Sequence, residues 1–113
     1  MREKIRDRQR LEHILNALDT IISYREKYSD DEIMDNPITF FGFVKHLEIV
    51  GEASYKLTKE FKAAHAEVNW HEIEGMRHIM VHGYYMIERS IVITTLREDA
   101  DILRRLIFQY LSN

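Results

Sequence analysis

The chain is expected to fold as an all-α protein, an antiparallel bundle of four to five helices. Three observations predict this. Glycine and proline are scarce, four and one in 113 residues, so little interrupts a helix. Apolar residues recur at three- and four-residue steps over four long stretches, and no stretch alternates apolar and polar residues as a half-buried strand does. At this length, with 45% apolar residues, a single domain spanning 1–113 with a substantial core is expected.

Leu11, Ile14, Leu15, Leu18, Ile21 and Ile22 mark a first helix over roughly residues 4–27. Residues 28–36 are polar and acidic, with Asp30, Asp31, Glu32 and Asp35, and predict a loop or one short turn. Asn36-Pro37 reads as a cap followed by proline at the first helical position. The second helix then carries Phe40, Phe43, Val44, Leu47, Val50, Ser54, Leu57 and Phe61 on one face. A third, shorter helix starts near Asn69, carries Trp70, Ile73, Met76 and Met80, and ends near Gly83. The fourth runs from about Glu88 to Leu111 through Val92, Leu96, Ala100, Leu103, Leu106, Ile107 and Tyr110. The spacing predicts that Leu18, Leu47, Val50, Leu57, Leu96 and Leu103 are buried, and that more than two thirds of the chain is helical.

Composition narrows the function. No run of about 18 uncharged apolar residues exists, which argues against a membrane-spanning helix. The start, Met-Arg-Glu-Lys-Ile-Arg-Asp-Arg, lacks an apolar signal stretch. With no cysteine there is no disulfide, which fits a reducing cytosol. The net charge of −3 does not mark a general nucleic-acid binder. Charge is uneven, however. Arg2, Lys4, Arg6, Arg8 and Arg10 stand against only Glu3 and Asp7 in the first ten residues. This segment reads either as a basic arm able to touch phosphates or as an ordinary solvated helix start.

Chemistry concentrates in the third helix. Arg77 is a permanent cation able to clamp a phosphate with two parallel hydrogen bonds, and His82 exchanges a proton near neutral pH. Together they suffice for cutting RNA, whose own 2′-hydroxyl supplies the nucleophile. On a helical wheel Trp70, Ile73, Met76, Met80 and Tyr84 form an apolar stripe, and Arg77 falls inside it. A guanidinium there needs a partner; Glu52 or Glu48 on the second helix can supply it, as an internal salt bridge that is compatible with catalysis. His82 lies about 140° around from Arg77. A site using both therefore requires a bend, which Gly83 would permit, or a second chain placed about a two-fold axis.

A competing constellation is His71, Glu74, His78 and His82 on one flank. Three turns span about 16 Å, so at most His78 and His82 pair on one ion, with His46 or His65 as a possible third ligand. A polar exposed flank is the simpler reading of His71 and His78, and no metal or other cofactor is expected.

The stretch Trp70-His71-Glu72-Ile73-Glu74-Gly75-Met76-Arg77-His78-Ile79-Met80-Val81-His82-Gly83-Tyr84-Tyr85 resembles the signature of the HepT-like ribonuclease toxins. These belong to the HEPN superfamily, marked by Arg, four to six residues, then His. Gly51-Glu52-Ala53 resembles that family's Gly-Glu-Ala on the long second helix. The likeness covers nearly the whole chain in length and helix order, and its specificity lies in these motifs occurring together in this order. It implies a HEPN-type bundle forming a homodimer, with Arg77 and His82 from both chains in one cleft. It implies an endoribonuclease toxin acting on RNA in the cytoplasm, with Glu52 and Tyr85 in support. It further implies a minimal nucleotidyltransferase antitoxin that silences the toxin by adding AMP to Tyr84, two places after the histidine. The alternative is a non-enzymatic adaptor of such a nucleotidyltransferase, with Arg77 purely structural. Core packing of Tyr84, which fits the apolar stripe, is the plain reading of that residue.

Overall fold

The computed structural model describes residues 2–112, with side chains from residue 6 onward. The arm residues Arg2 and Lys4 therefore have side chains outside the described set. The elements in order are α1 (Arg2–Arg25), α2 (Asp30–Asp35), α3 (Pro37–Tyr55), α4 (Lys59–Ala64), α5 (Trp70–His82), a 3-10 turn (Tyr84–Met86), α6 (Arg89–Thr94), a π turn (Thr95–Asp99) and α7 (Ala100–Ser112). More than two thirds of the chain is helical, and no strand occurs among the described residues. No described helix is long and apolar enough to cross a membrane.

The periodic stretches become the long helices. α1 buries Leu11, Ile14, Leu18 and Ile21; α3 buries Phe40, Phe43, Val44, Leu47 and Val50. These faces meet in one core closed by Leu96 and Ile107. α1 packs on α3 and on α7, while α5 packs chiefly on α3. Of the six side chains expected inside, Leu18, Leu47, Val50, Leu57 and Leu96 are buried. Leu103 is only partly buried, because it borders an open groove between α5 and α7.

Two boundaries differ from expectation. Residues 30–35 form a helix because Ser29 and Glu32 complete a capping box, satisfying amides that a short acidic segment would otherwise leave bare. Ile33 pins it to the core. The second predicted helix breaks instead of running through Phe61: α3 ends at Tyr55, and Thr58 caps α4 by accepting from the Phe61 amide at 3.1 Å. Asp7 enforces the break. Its carboxylate, buried at the edge of α1, accepts from the Thr58 amide at 2.9 Å and the Thr58 hydroxyl at 2.7 Å.

The last predicted helix is one continuous rod interrupted by the π turn, where the Ala100 amide reaches back five residues to the Thr95 carbonyl. Arg25 answers this turn from the end of α1. Its Nη1 donates to the Leu96 carbonyl at 2.7 Å, and both terminal nitrogens clamp Asp101 at 2.8 and 2.9 Å. Arg97 returns the contact, donating to the Arg25 and Tyr28 carbonyls at 2.8 and 2.7 Å and to Asp30 at 2.9 Å. The carbonyls freed where α1 ends are thereby satisfied.

Arg25→Ala leaves the Leu96 carbonyl and Asp101 without their donor. Urea unfolding is expected to show a loss of about 2–3 kcal/mol. Asp101→Asn, whose side chain is less buried, is expected to lose about 1 kcal/mol.

Candidate active site

The site begins where α3 and α5 cross. Gly51 is buried on α3, and a Cβ built on it would lie 2.4 Å from Arg77 Cβ and 3.3 Å from Arg77 Cα. Only glycine allows the two backbones this close. The adjacent Glu52 receives the guanidinium: Arg77 Nε donates to Glu52 Oε2 at 2.6 Å. Of the two carboxylates that sequence offered as partners, Glu52 is thus the one used; Glu48 lies 3.5 Å from Lys45 Nζ. The Arg77 guanidinium also sits 5.1 Å from the centre of the Tyr55 ring, a cation–π arrangement. Among the described residues its only side-chain hydrogen bond is the one through Nε, so both terminal nitrogens keep their donors.

Glu52 is held below the usual carboxylate range, first by the Arg77 hydrogen bond and also by Lys56, against an opposing effect of burial. Lys56 Nζ lies 3.4 Å from Glu52 Oε1. Tyr55 and Lys56 escaped the sequence reading, although both follow Gly51-Glu52-Ala53 within one helical turn and so flank the same crossing.

His82 closes α5, fully helical and exposed. The helix runs unbroken from Arg77 to His82, and Gly83 caps it with φ −127° and ψ 40°. The bend that Gly83 was considered to permit therefore falls after the histidine, not between the two residues. Five residues apart on one helix, their side chains leave it about 140° apart, and among the described residues they make no hydrogen bond to one another.

Tyr84 corrects the wheel. It does not continue the apolar stripe, because the helix stops two residues earlier and the chain enters a 3-10 turn. Tyr84 is 63% exposed and Tyr85 77%, packed edge to face against each other with ring centres 5.8 Å apart. Tyr84 thus sits on a solvent-facing turn two residues after His82.

The residues of the metal alternative scatter. Glu74 binds Lys62 at 2.8 Å, His46 Nδ1 lies 2.8 Å from the Gly42 carbonyl oxygen, and His65 stacks 4.1 Å from Tyr110. His78 and His82 do face one another, with ring centres 5.0 Å apart. Among the described residues no three histidine, aspartate or glutamate side chains converge on one point.

Two predictions follow the crossing. Gly51→Ala is expected to destabilise by about 1–3 kcal/mol through overpacking, whereas Gly42→Ala, with open space at its Cβ, should stabilise by roughly 0.5–1 kcal/mol; thermal melts of both variants check the opposite signs. Because Glu52's folded pKa is depressed, its pairing stabilises above the ordinary carboxylate value of 4.5 and is lost as pH falls through the lower folded value. The stability gap between wild type and Glu52→Gln should hold steady at neutral pH and shrink below pH 4.5, read by urea titration at several pH values.

Comparison with known proteins bears on what this crossing is for. No solved structure matches the chain. It is 35% identical over 95 residues to "Putative RNase TTE0752" of Caldanaerobacter subterraneus subsp. tengcongensis, spanning 84% of this chain and 85% of that protein. It is 30% identical over 94 residues to "Probable ribonuclease HepT" of Thermococcus cleftensis, spanning 83% and 86%. The family model described as "Ribonuclease HepT-like" matches residues 14–109, a span containing the crossing and the whole Arg77-to-Tyr85 segment, and the chain belongs to the HepT-like ribonuclease family.

Proposed function

We propose that the protein is a metal-independent endoribonuclease working as a homodimer, with one catalytic domain over 1–113. The observation that carries this is the division of labour on α5. Arg77 is fixed at the crossing by Glu52 with its terminal nitrogens open, and His82 is presented to solvent at the helix end. Arg77 binds the scissile phosphate and the charge that develops on it. His82 removes the 2′-hydroxyl proton or protonates the departing 5′-oxygen. The 2′-oxygen attacks phosphorus, the bond to the 5′-oxygen breaks, and a 2′,3′-cyclic phosphate remains. Glu52 orients Arg77, and Tyr85 borders the same end of α5.

A second copy reconciles the angle between Arg77 and His82, because a two-fold axis beside α5 offers each phosphate an arginine from one chain and a histidine from the other. The face for it is the groove between α5 and α6–α7, with a cavity of about 570 Å³ lined by Ile73, Met76, Ile79, Ile91, Ile102 and Leu103. Ile79, Ile91 and Ile102 are exposed there, an apolar surface that self-association would cover.

In this reading the enzyme is a cytoplasmic toxin whose partner is a minimal nucleotidyltransferase antitoxin. The partner transfers AMP from ATP to the Tyr84 oxygen and releases pyrophosphate. The exposure of Tyr84 beside His82 supports this, since an added phosphodiester would compete with RNA for Arg77.

Cleavage of an RNA oligonucleotide should proceed in EDTA, require the 2′-hydroxyl and yield a cyclic phosphate. His82→Ala should lower the rate by roughly 10²–10⁴, and Arg77→Ala by about 10²–10³. Activity abolished by chelator and restored by zinc would favour the His78/His82 pair as a metal site instead. Tyr84→Phe should fold normally, cleave RNA, and gain no mass when co-expressed with the nucleotidyltransferase. An adenylate found by mass spectrometry on Tyr24 or Tyr110 would overturn the role of Tyr84.

A further inference from the structure

A second cleft lies between α1 and α3, with a cavity of about 420 Å³. It shares no lining residue with the apolar groove, so self-association through that groove leaves the cleft open. Its polar lining is Arg10 and His13 from α1, with Lys45, Glu48, Glu52 and Lys56 from α3. Both carboxylates are engaged: Glu52 by Arg77 at 2.6 Å and Glu48 by Lys45 at 3.5 Å. The cleft holds three cations, Arg10, Lys45 and Lys56, against those two carboxylates, and Glu52 links it to Arg77, in a chain whose net charge is −3. Arg10 Nε adds an independent sign. It is shut off from solvent and has no hydrogen-bond partner among the described residues, an unsatisfied donor that a shift of the side chain would offer to an anionic oxygen in the cleft.

From Lys45 to Lys56 the α3 face runs about 16 Å and reaches Glu52, the carboxylate that holds Arg77. The cations therefore form a track ending at the proposed scissile phosphate. We infer that this cleft is a subsite for the backbone phosphates of single-stranded RNA flanking the cleaved bond, read by Arg10 and Lys45 and extended by Lys56. The inference rests on the ribonuclease reading. It assigns the substrate a direction across α3, away from the apolar groove, and a demand for several nucleotides on one side of the cut. No base-specific contact is involved, so the track is indifferent to sequence.

The test is equilibrium binding of a short single-stranded RNA at several salt concentrations, using wild type, Lys45→Ala, Lys45→Glu, Arg10→Lys and, as an equal charge loss elsewhere, Arg105→Ala on α7. Lys45 has an exposed side chain, so its variants should fold, and Arg10→Lys keeps the charge while removing Nε. The expected result is affinity weakened roughly tenfold by Lys45→Ala and Arg10→Lys, and further by Lys45→Glu. The salt slope should fall by about 0.7 for Lys45→Ala, the loss of one single-strand phosphate contact, with Arg105→Ala like wild type. Unchanged binding in the Lys45 and Arg10 variants overturns the inference, as does an equal loss in Arg105→Ala, which would mean diffuse attraction. So does loss of binding to the nucleotidyltransferase with RNA affinity intact. If those variants bind normally while Arg77→Ala still abolishes cleavage, the subsite alone has failed. If wild type neither binds nor cleaves RNA, the ribonuclease reading has failed with it.

Discussion

The approach of α5 to α3 at Gly51 is the constraint on which the site depends. A missing side chain on one helix lets the Cβ of Arg77 on the other sit almost against the backbone. The guanidinium then starts from a fixed point and has a short path to Glu52. Placement by backbone contact is stiffer than placement by rotamer choice alone, since packed interiors resist small displacements. α5 has this one firm neighbour and an open groove on its other side. The element that carries Arg77 and His82 is thus anchored along a single line.

Elsewhere charged groups join helix ends beyond the reach of the apolar core. Asp7 ties the start of α1 to the break after α3, and Arg25 with Arg97 ties the end of α1 to the π turn. Each largely buried group, Asp7 at 7% and Arg25 at 9% exposure, directs one hydrogen bond to a backbone atom left over where a helix stops or changes pitch and the rest to side chains beside it. The cost of burying charge is offset because those backbone atoms would otherwise be unsatisfied too. Arg77 differs: a carboxylate, Glu52, holds it through Nε. Its terminal nitrogens have no hydrogen-bond partner among the described residues.

Much of this was legible in the chain itself. Periodicity placed the long helices and five of six chosen core residues, because burial of one face imposes a regular spacing. Arg77 inside an apolar stripe called for a carboxylate, and Glu52 supplied it. What periodicity could not show were events that obey hydrogen bonding rather than hydrophobicity. The break at Thr58 depends on Asp7, 51 residues away in sequence. The exposure of Tyr84 depends on a helix ending at His82, where a wheel drawn two residues too far put the ring inside. The α1–α3 cleft was visible only as scattered basic residues, since Arg10 and Lys45 become neighbours solely through packing.

The π turn in the last helix also bears on chain length. Val92, Leu96 and Ala100 are buried at successive four-residue steps, although such steps overshoot a regular α-turn by about 40° each. The wider turn takes up that overshoot and returns Ala100 to the core side. It behaves as a single extra residue that the helix has absorbed without turning its apolar face outward. Deleting one solvent-facing residue, such as Glu98, would let the segment relax to ordinary α-helical bonding with its ends nearly in place. Arg25 would then compete with a backbone amide for the Leu96 carbonyl. The fold can therefore tolerate a one-residue difference in length here, provided that the arginine at the end of α1 changes in step.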